Sequence, residues 1–323
     1  MKIRYLLAGL VVVFSGAAAP VGESIPELQD LRVLARSAGE AVWPGYGRAP
    51  FGLLLVTSRG ETLLCETRLP EGFKTAGRDR ATGCAKATRA PSGLPAGILA
   101  AMPLFGPPAT IVVGTPEATG YKPVEWRRTV LHEHFHQWQA AIPGYYGRTA
   151  ALDLSGGDTT GMWMLNYPFP YADRAAGEAY GEASRTLGAA LVARGRPDFL
   201  AAFDLYLTRR RAFAATVDSK AWRYLEFQLW QEGVARWTEI AIARRSRNAE
   251  LEAEAAKVEQ RLIERLSKPN LKEQGRELAY PYGAGEALLL DACGPGWRAA
   301  YPGTLELGSL LTAARATCEP DGA

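Results

Sequence analysis

The pattern of apolar residues changes near residue 121, and this change constrains the architecture of the chain more than any other feature. Before it, the sequence is interrupted by Gly and Pro, and one amphipathic helix is predicted at 25–37. Short β-prone runs lie at residues 52–57, 62–67 and 109–114. After it, helical periodicity dominates. We therefore predict an α+β protein in which a small N-terminal sheet, within 20–121, precedes a mainly helical region, 122–323.

Several stretches of the second part have the spacing of helices. They lie at residues 123–141, 172–194, 197–217, 219–245, 249–267, 285–292 and 305–314. The first two are separated by residues 142–171, which are rich in Gly, Tyr and Pro. A connection of this length without its own secondary structure is more often functional than not. We predict that it is a loop that forms one wall of a cleft.

The first residues have the composition of a secretory signal peptide. Lys2 and Arg4 precede an apolar run at 5–14, and small residues at 16–19 suit signal peptidase. We predict a signal peptide at 1–19 and a mature chain that is periplasmic or secreted. Because no later stretch is apolar over the length of a membrane-spanning helix, the mature chain is not expected to cross a membrane.

The cysteines agree with export. An even number of cysteines, Cys65, Cys84, Cys293 and Cys318, follows the leader. Of the three possible connectivities we predict Cys65–Cys84 and Cys293–Cys318, because each pair brackets a turn-rich segment. A zinc site made of these cysteines is not expected, since the spacing Cys-x-x-Cys is absent.

The composition is that of a globular protein without a nucleic-acid partner. Hydrophobic residues make up 47% of the chain and charged residues 22%, which is enough apolar surface for a packed core. The formal charge is only +3, and basic residues are scattered among acidic ones. A basic surface that could neutralise phosphates is therefore not expected.

The three histidines of the chain lie within five consecutive residues, His132-Glu133-His134-Phe135-His136. Residues four apart share one face of a helix, so His132 and His136 can bind one metal ion with Glu133 beside its open position. Nitrogen ligands and a position for water are what a catalytic zinc site requires. Zn²⁺ lowers the pKa of water, and Glu133 can accept its proton. His134 should point away from the metal.

A third zinc ligand is expected from an acidic residue on another helix. Glu232 is the leading candidate, because the small residues Gly233 and Ala235 would let its helix approach the histidine helix closely. Gly inside a helix costs about 1 kcal/mol relative to Ala, so Gly233 requires such a reason. Glu178 and Glu182, four residues apart on one predicted helix, are the alternatives.

Two segments resemble the gluzincin metallopeptidases. His132-Glu133-x-x-His136-Gln137-Trp138, together with Leu229-Trp230-x-Glu232-Gly233-x-Ala235, is similar to the zinc-binding segments of the aminopeptidase N family. The resemblance implies a zincin-like catalytic region with His132, His136 and Glu232 as zinc ligands and Glu133 as general base. Residues 137–231 separate the second His from the Glu, much further than in that family, and its Gly-Ala-Met-Glu-Asn signature is absent. The implication is a gluzincin-like hydrolase rather than an aminopeptidase.

A hydrogen-bond donor is needed for the negative oxygen that develops on the substrate. Since no histidine is left, a tyrosine is the natural donor. Similar gluzincins carry theirs after the ligand helix, where Tyr282 is our first choice and Tyr280 the second. Tyr145 and Tyr146, in the long loop, compete with them.

Two further features complete the expected site. Glu239, on the same helix face as Glu232, is a candidate acceptor for a hydrogen bond from a ligand imidazole. The strand with Ile111, Val112 and Val113 is expected, by resemblance to zincins, to lie at a sheet edge along which an extended substrate binds.

The sequence therefore predicts an exported zinc-dependent hydrolase of the metallopeptidase type, acting on a peptide or protein. Two alternatives stay open: a zinc-binding or scaffold protein without turnover, and a zinc amidase that acts on cell-wall material. The intact Glu133 argues against the first alternative. No oligomeric state is predicted.

Overall fold

An N-terminal helix begins the part of the chain that the structure describes. The structure is a computed structural model and describes residues 26–158 and 160–319, so the predicted leader lies outside it. Helix α1 (Pro26–Leu34) continues through a π-helical turn (Ala35–Gly39) into Glu40–Val42. The helix predicted at 25–37 is therefore present and extends further.

Six strands form one mixed sheet. They are β1 (Leu53–Thr57), β2 (Gly60–Leu64), β3 (Lys74–Arg78), β4 (Ala85–Arg89), β5 (Leu99–Met102) and β6 (Thr110–Gly114). Their order is β3-β4-β2-β1-β6-β5, and neighbours are antiparallel except β1 and β6, which are parallel. The three predicted runs correspond to β1, β2 and β6, which are buried almost throughout.

The other three strands were not predicted, because their sequences lack a buried apolar run. Every residue of β3 is exposed, and Gly77 within it has a positive φ of 78°. The residues of β5 are all half-buried. Such strands form because their backbones pair with a neighbouring strand that is more deeply buried. Their own sequence of apolar and polar residues does not predict them.

The sheet edge nearest the histidine helix is β5. β6 pairs with β1 on one side and with β5 on the other, so the expectation that Ile111, Val112 and Val113 lie at an edge is wrong. Among the described strands, β5 pairs with β6 alone, and both strands contact the helix at Pro123–Ala141.

Helices make up the rest of the described chain. The longer ones are α2 (Pro123–Ala141), α3 (Arg174–Ala193), α4 (Phe199–Ala214), α5 (Ser219–Gln228), α6 (Val234–Ala243), α7 (Ala249–Ser267), α8 (Ala279–Ala292) and α9 (Gly308–Thr317). A π-helical turn, Leu229–Gly233, joins α5 to α6 without a break. Short helices lie at Pro116–Thr119, Tyr145–Ala150, Trp163–Asn166, Leu271–Gln274 and Trp297–Ala300, and 3-10 turns at Tyr46–Arg48, Gly275–Leu278 and Tyr301–Gly303.

One hydrophobic core joins the sheet to the helices. Leu53 and Ile111 from the sheet belong to the same buried cluster as Phe135 and Trp138 from α2 and Trp230 from the π-helical turn. The predicted α+β class is confirmed, with the sheet near the N-terminus and helices after it. The subdomain boundary at residue 121 stays a prediction.

A close crossing between two helices holds Glu232 in place. A Cβ atom on Gly233 would lie 2.4 Å from Cα of Gly283, and one on Gly283 would lie 2.6 Å from the carbonyl oxygen of Leu229. Neither position has room for a side chain. The expectation that Gly233 allows contact with the histidine helix is therefore wrong, because its close partner is α8.

Both predicted disulfides are present. Cys65 is bonded to Cys84 and Cys293 to Cys318, and the structure contains no free cysteine among its described residues. Two disulfides fit an oxidising, exported environment. Within residues 26–158 and 160–319, no helix has the length and apolar character needed to cross a membrane.

Candidate metal centre

Helix α2 carries the histidines and has the boundaries that the sequence predicted. Pro123 occupies its first turn, and the amide of Lys122 donates to the carboxylate of Glu125 at 3.1 Å, which caps its start. Phe135 and Trp138 pack against the ring of Trp43 at 5.5 and 5.2 Å. This aromatic packing anchors one side of α2.

The predicted ligand set converges on one point. Nε2 of His132 and Nε2 of His136 are 3.0 Å apart. Oε2 of Glu232 lies 3.4 Å from the first nitrogen and 3.3 Å from the second. For zinc–ligand bonds of 2.0–2.1 Å, the edge of a coordination tetrahedron is about 3.3 Å. The three atoms therefore have the spacing of three corners of such a tetrahedron.

Contacts at the other ring nitrogens orient both Nε2 atoms towards this point. Nδ1 of His136 donates to Oε1 of Gln139 at 2.7 Å. Nδ1 of His132 lies 3.3 Å from Oε2 of Glu239, an ion-pair contact, and neither atom has a hydrogen-bond partner among the described residues. Two imidazole nitrogens and a carboxylate oxygen at such distances need a shared proton or a cation between them. The donor set therefore fits zinc.

Glu239 and Gln139, which contact the imidazoles of His132 and His136, are fixed by hydrogen bonds to other buried residues. Glu239 is buried and accepts hydrogen bonds from Arg128 and Arg236. The amide nitrogen of Gln139 donates to the hydroxyl of Tyr301 at 2.6 Å. Glu239 was predicted in this role. Gln139 was not, although a polar residue three positions after His136 on a largely buried helix was the available signal.

Glu232 lies in the π-helical turn between α5 and α6, and its second oxygen is also held. Nη1 of Arg276 lies 3.3 Å from Oε1 of Glu232 and donates to Gln228 at 3.1 Å. Single π-helical turns are frequent at functional sites, because they redirect side chains locally. Sequence periodicity predicted a continuous helix here and could not reveal the turn or Arg276.

The charges of the site shift the pKa values of its members. Burial lowers the pKa of His132, but contacts with Glu232 and Glu239 outweigh burial and raise this pKa to about 9. Burial raises the pKa of Glu232, but the charge of His136 and the hydrogen bonds outweigh it and hold this pKa well below the usual range. Without a metal, His132 therefore carries a proton and forms an ion pair with the ionised carboxylate of Glu232.

Glu133 differs from the other carboxylates of the site. It is buried, and no hydrogen bond to its carboxylate occurs among the described residues. Burial raises its pKa, and the neighbouring His132 and His136 offset only part of this effect. A carboxylate with a raised pKa and no fixed partner is suited to accept and release a proton.

The structure places Tyr280, rather than Tyr282, beside the histidines. The ring of Tyr280 lies 5.8 Å from that of His132, and its hydroxyl accepts a hydrogen bond from Nη2 of Arg276 at 3.3 Å. Tyr282 is fully buried and packs against Tyr180 and Tyr206 at 5.8 and 6.1 Å. The choice of Tyr282 is therefore corrected, because α8 already begins at Ala279 and turns the two phenols to different sides.

The remaining predicted residues lie elsewhere or beside the site. The side chains of Glu178 and Glu182 are 71% and 53% exposed and pair with arginines of their own helix, so neither approaches the histidines. His134 points away, as predicted, and donates to the carbonyl of Pro50 at 3.1 Å. Tyr145 stacks on Trp230 at 6.3 Å. Tyr146 is 39% exposed.

The segment 142–171 is not a plain loop. It contains the short helices Tyr145–Ala150 and Trp163–Asn166. It packs on α5, where the hydroxyl of Tyr224 donates to the carbonyl of Met164 at 2.9 Å and the ring of Tyr167 stacks on that of Tyr224 at 4.3 Å. Its role as a cleft wall stays a prediction.

The chain matches no protein-family model, no curated protein and no solved structure. The functional assignment therefore depends on the geometry of the centre itself.

Proposed function

We propose that this protein is an exported zinc-dependent hydrolase of the gluzincin type that cleaves amide bonds in peptides or proteins. The observation that carries the proposal is the convergence of three ligand atoms within 3.4 Å of one another, with Glu133 on the same helix as the two histidines. A merely structural zinc site is closed by four protein ligands, whereas a catalytic one keeps a position open. Three ligands and a neighbouring carboxylate correspond to the second kind.

Each residue of the centre has a distinct task in this proposal. When bound, zinc supplies a Lewis acid that lowers the pKa of water towards neutrality. Glu133 accepts a proton from the attacking water and passes it to the amine nitrogen as the C–N bond breaks and the new C–O bond remains. The oxygen of the Tyr280 hydroxyl accepts a hydrogen bond from Arg276. Its proton is therefore free to form a hydrogen bond with the carbonyl oxygen of the substrate.

The surrounding charges support a single free base. Glu232 is paired with Arg276, and Glu239 with Arg128 and Arg236, so these carboxylates are neutralised by the protein. Glu133 forms no ion pair with an arginine or lysine in the part of the chain that the structure describes. In this proposal Glu232 and Glu239, which are paired with arginines, position the metal and its ligands, whereas Glu133 transfers the proton.

The proposal is tested by turnover assays on the purified mature chain with casein, a mixed peptide library and peptidoglycan. We expect cleavage of casein or peptides that a strong chelator abolishes and that zinc restores. Turnover of peptidoglycan alone would point to the amidase alternative. An absence of turnover on all three substrates by the zinc-loaded chain would contradict the proposal.

Replacing Tyr280 with Phe is expected to reduce kcat by roughly 10²- to 10³-fold, because one donor to the developing oxyanion is lost. The zinc content of the variant should not change, since Tyr280 is not a ligand. The matched control is Tyr282→Phe, two residues away, whose hydroxyl has no hydrogen-bond partner among the described residues. Equal losses of kcat in both variants would show that Tyr280 acts only through packing.

A further inference from the structure

A cavity whose lining includes no residue of helix α2 lies beside the start of α5. It has a volume of about 560 Å³ and lies between the short helix Tyr145–Ala150, the start of α5 and the segment after Tyr301. Its lining includes Arg148, Trp222, Arg223, Glu226, Gly303 and Glu306. None of the three proposed zinc ligands lines it.

Arg148 in the wall of this cavity lacks an acceptor. Its Nε and one terminal nitrogen are shielded from solvent and have no hydrogen-bond partner in residues 26–158 and 160–319. No carboxylate of the described chain lies within ion-pair distance of it. Arg148 as a whole is half-buried. A guanidinium that is partly withdrawn from water and has no acceptor favours an anion beside it.

The carboxylates near the cavity are already engaged. Glu226 accepts two hydrogen bonds from Arg210, at 2.7 and 2.9 Å, and a third from the amide of Leu307 at 3.1 Å. Glu306 accepts from the hydroxyl of Ser309 and from its amide, at 3.0 Å for the amide. Among the described residues, neither carboxylate forms an ion pair with Arg148.

Arg223 supplies a second cation to the same cavity. Arg223 is exposed, and its only hydrogen bond in the described chain runs from Nη1 to the carbonyl of Leu152 at 3.0 Å, so no carboxylate is hydrogen-bonded to it. At the rim, Asp153 is paired with Lys220 at 2.6 Å. Two arginines without carboxylate partners therefore share one cavity, and a planar guanidinium recognises carboxylate and phosphate groups through paired hydrogen bonds.

We propose that this cavity binds an oxyanion, a carboxylate or phosphate group of a small ligand, through Arg148 and Arg223. The site is separate from the metal centre, because its lining includes none of His132, His136 and Glu232. The proposal therefore stands whether or not the protein is a hydrolase.

The test is thermal unfolding of the full mature chain with sodium phosphate, sodium succinate or sodium chloride at equal ionic strength. We expect phosphate or succinate to raise the Tm by several degrees above chloride, because a ligand of the folded state alone stabilises it. A rise in Tm with phosphate alone would identify a phosphate ligand, and a rise with succinate alone would identify a carboxylate ligand. Equal Tm values in the three salts would overturn the proposal.

Three variants distinguish specific binding of the oxyanion from a general effect of salt on the Tm. Arg148→Met should raise the Tm in chloride, because it removes a shielded cation without an acceptor, and should abolish the additional shift with oxyanions. Arg223→Gln, at an exposed position, should reduce that shift without affecting folding. Arg174→Gln is the matched control, since its side chain is 92% exposed and remote from the cavity lining, and should keep the full shift. Retention of the shift in Arg148→Met would contradict the proposal.

Discussion

Glu133→Gln is expected to abolish hydrolysis while leaving zinc in place. Gln has nearly the same shape as Glu but cannot accept a proton, and loss of a general base typically lowers kcat by about 10²- to 10⁴-fold. Glu133 does not belong to the group of described residues that could hold the metal, which consists of His132, His136 and Glu232. The measurement is kcat on the substrate that the turnover assays identify, together with zinc per chain by mass spectrometry.

Two results of that experiment would count against the proposed role of Glu133. Full activity of the variant would mean that another group accepts the proton. A parallel loss of zinc and activity would mean that Glu133 acts as a ligand or supports the fold. Glu182→Gln is the control, because its carboxylate is 53% exposed and pairs only with Arg185 on the same helix, and it should keep both properties.

Glu232→Ala is expected to weaken zinc binding by more than about 10²-fold. Loss of a residue that hydrogen-bonds a metal ligand already lowers zinc affinity by about 10- to 100-fold. Loss of the ligand itself should cost more, because it removes one of the three bonds from the protein to zinc. Competition with a chromogenic chelator measures the affinity, and circular dichroism checks that the helices persist.

Glu178→Ala is the matched control for this loss of affinity. It removes a carboxylate from the exposed face of α3 that was the alternative ligand in the sequence. Its zinc affinity should equal that of the wild type. If Glu232→Ala binds zinc as tightly as the wild type, then a different group completes the centre and the assignment of Glu232 is wrong.

The helix that carries the histidines could be predicted in full. Pro123 and Glu125 are start signals, the apolar residues repeat at helical spacing, and α2 runs from Pro123 to Ala141 as expected. Its two ligands follow from local geometry alone, because residues four apart on a helix share a face. Local rules of this kind need no knowledge of the tertiary structure.

Glu232, the proposed third ligand, was predicted from a signal whose physical cause was different from the one expected. Gly233 does mark a close approach between helices, but its partner is Gly283 on α8 rather than α2. A glycine indicates that a backbone comes close without indicating which one. For the same reason Arg276 and Gln139, which hold Glu232 and His136, could not be deduced from the sequence.

Tyr282 was preferred to Tyr280 as the proposed oxyanion donor because a helix start was misplaced. The sequence around Pro281, with Gly283 and Gly285 after it, reads as an irregular segment, yet α8 begins at Ala279. Pro is tolerated in a first helical turn, and Gly283 is required where α8 crosses the π-helical turn. Once the segment is helical, two tyrosines two residues apart face different sides.

The most direct test of the centre is anomalous diffraction at the zinc edge from crystals of the mature chain. We expect one peak per chain, about 2.0–2.1 Å from Nε2 of His132 and of His136 and about 2.0–2.2 Å from a carboxylate oxygen of Glu232. A peak located elsewhere, or a chain that stays free of zinc after equilibration with the metal, would contradict the account.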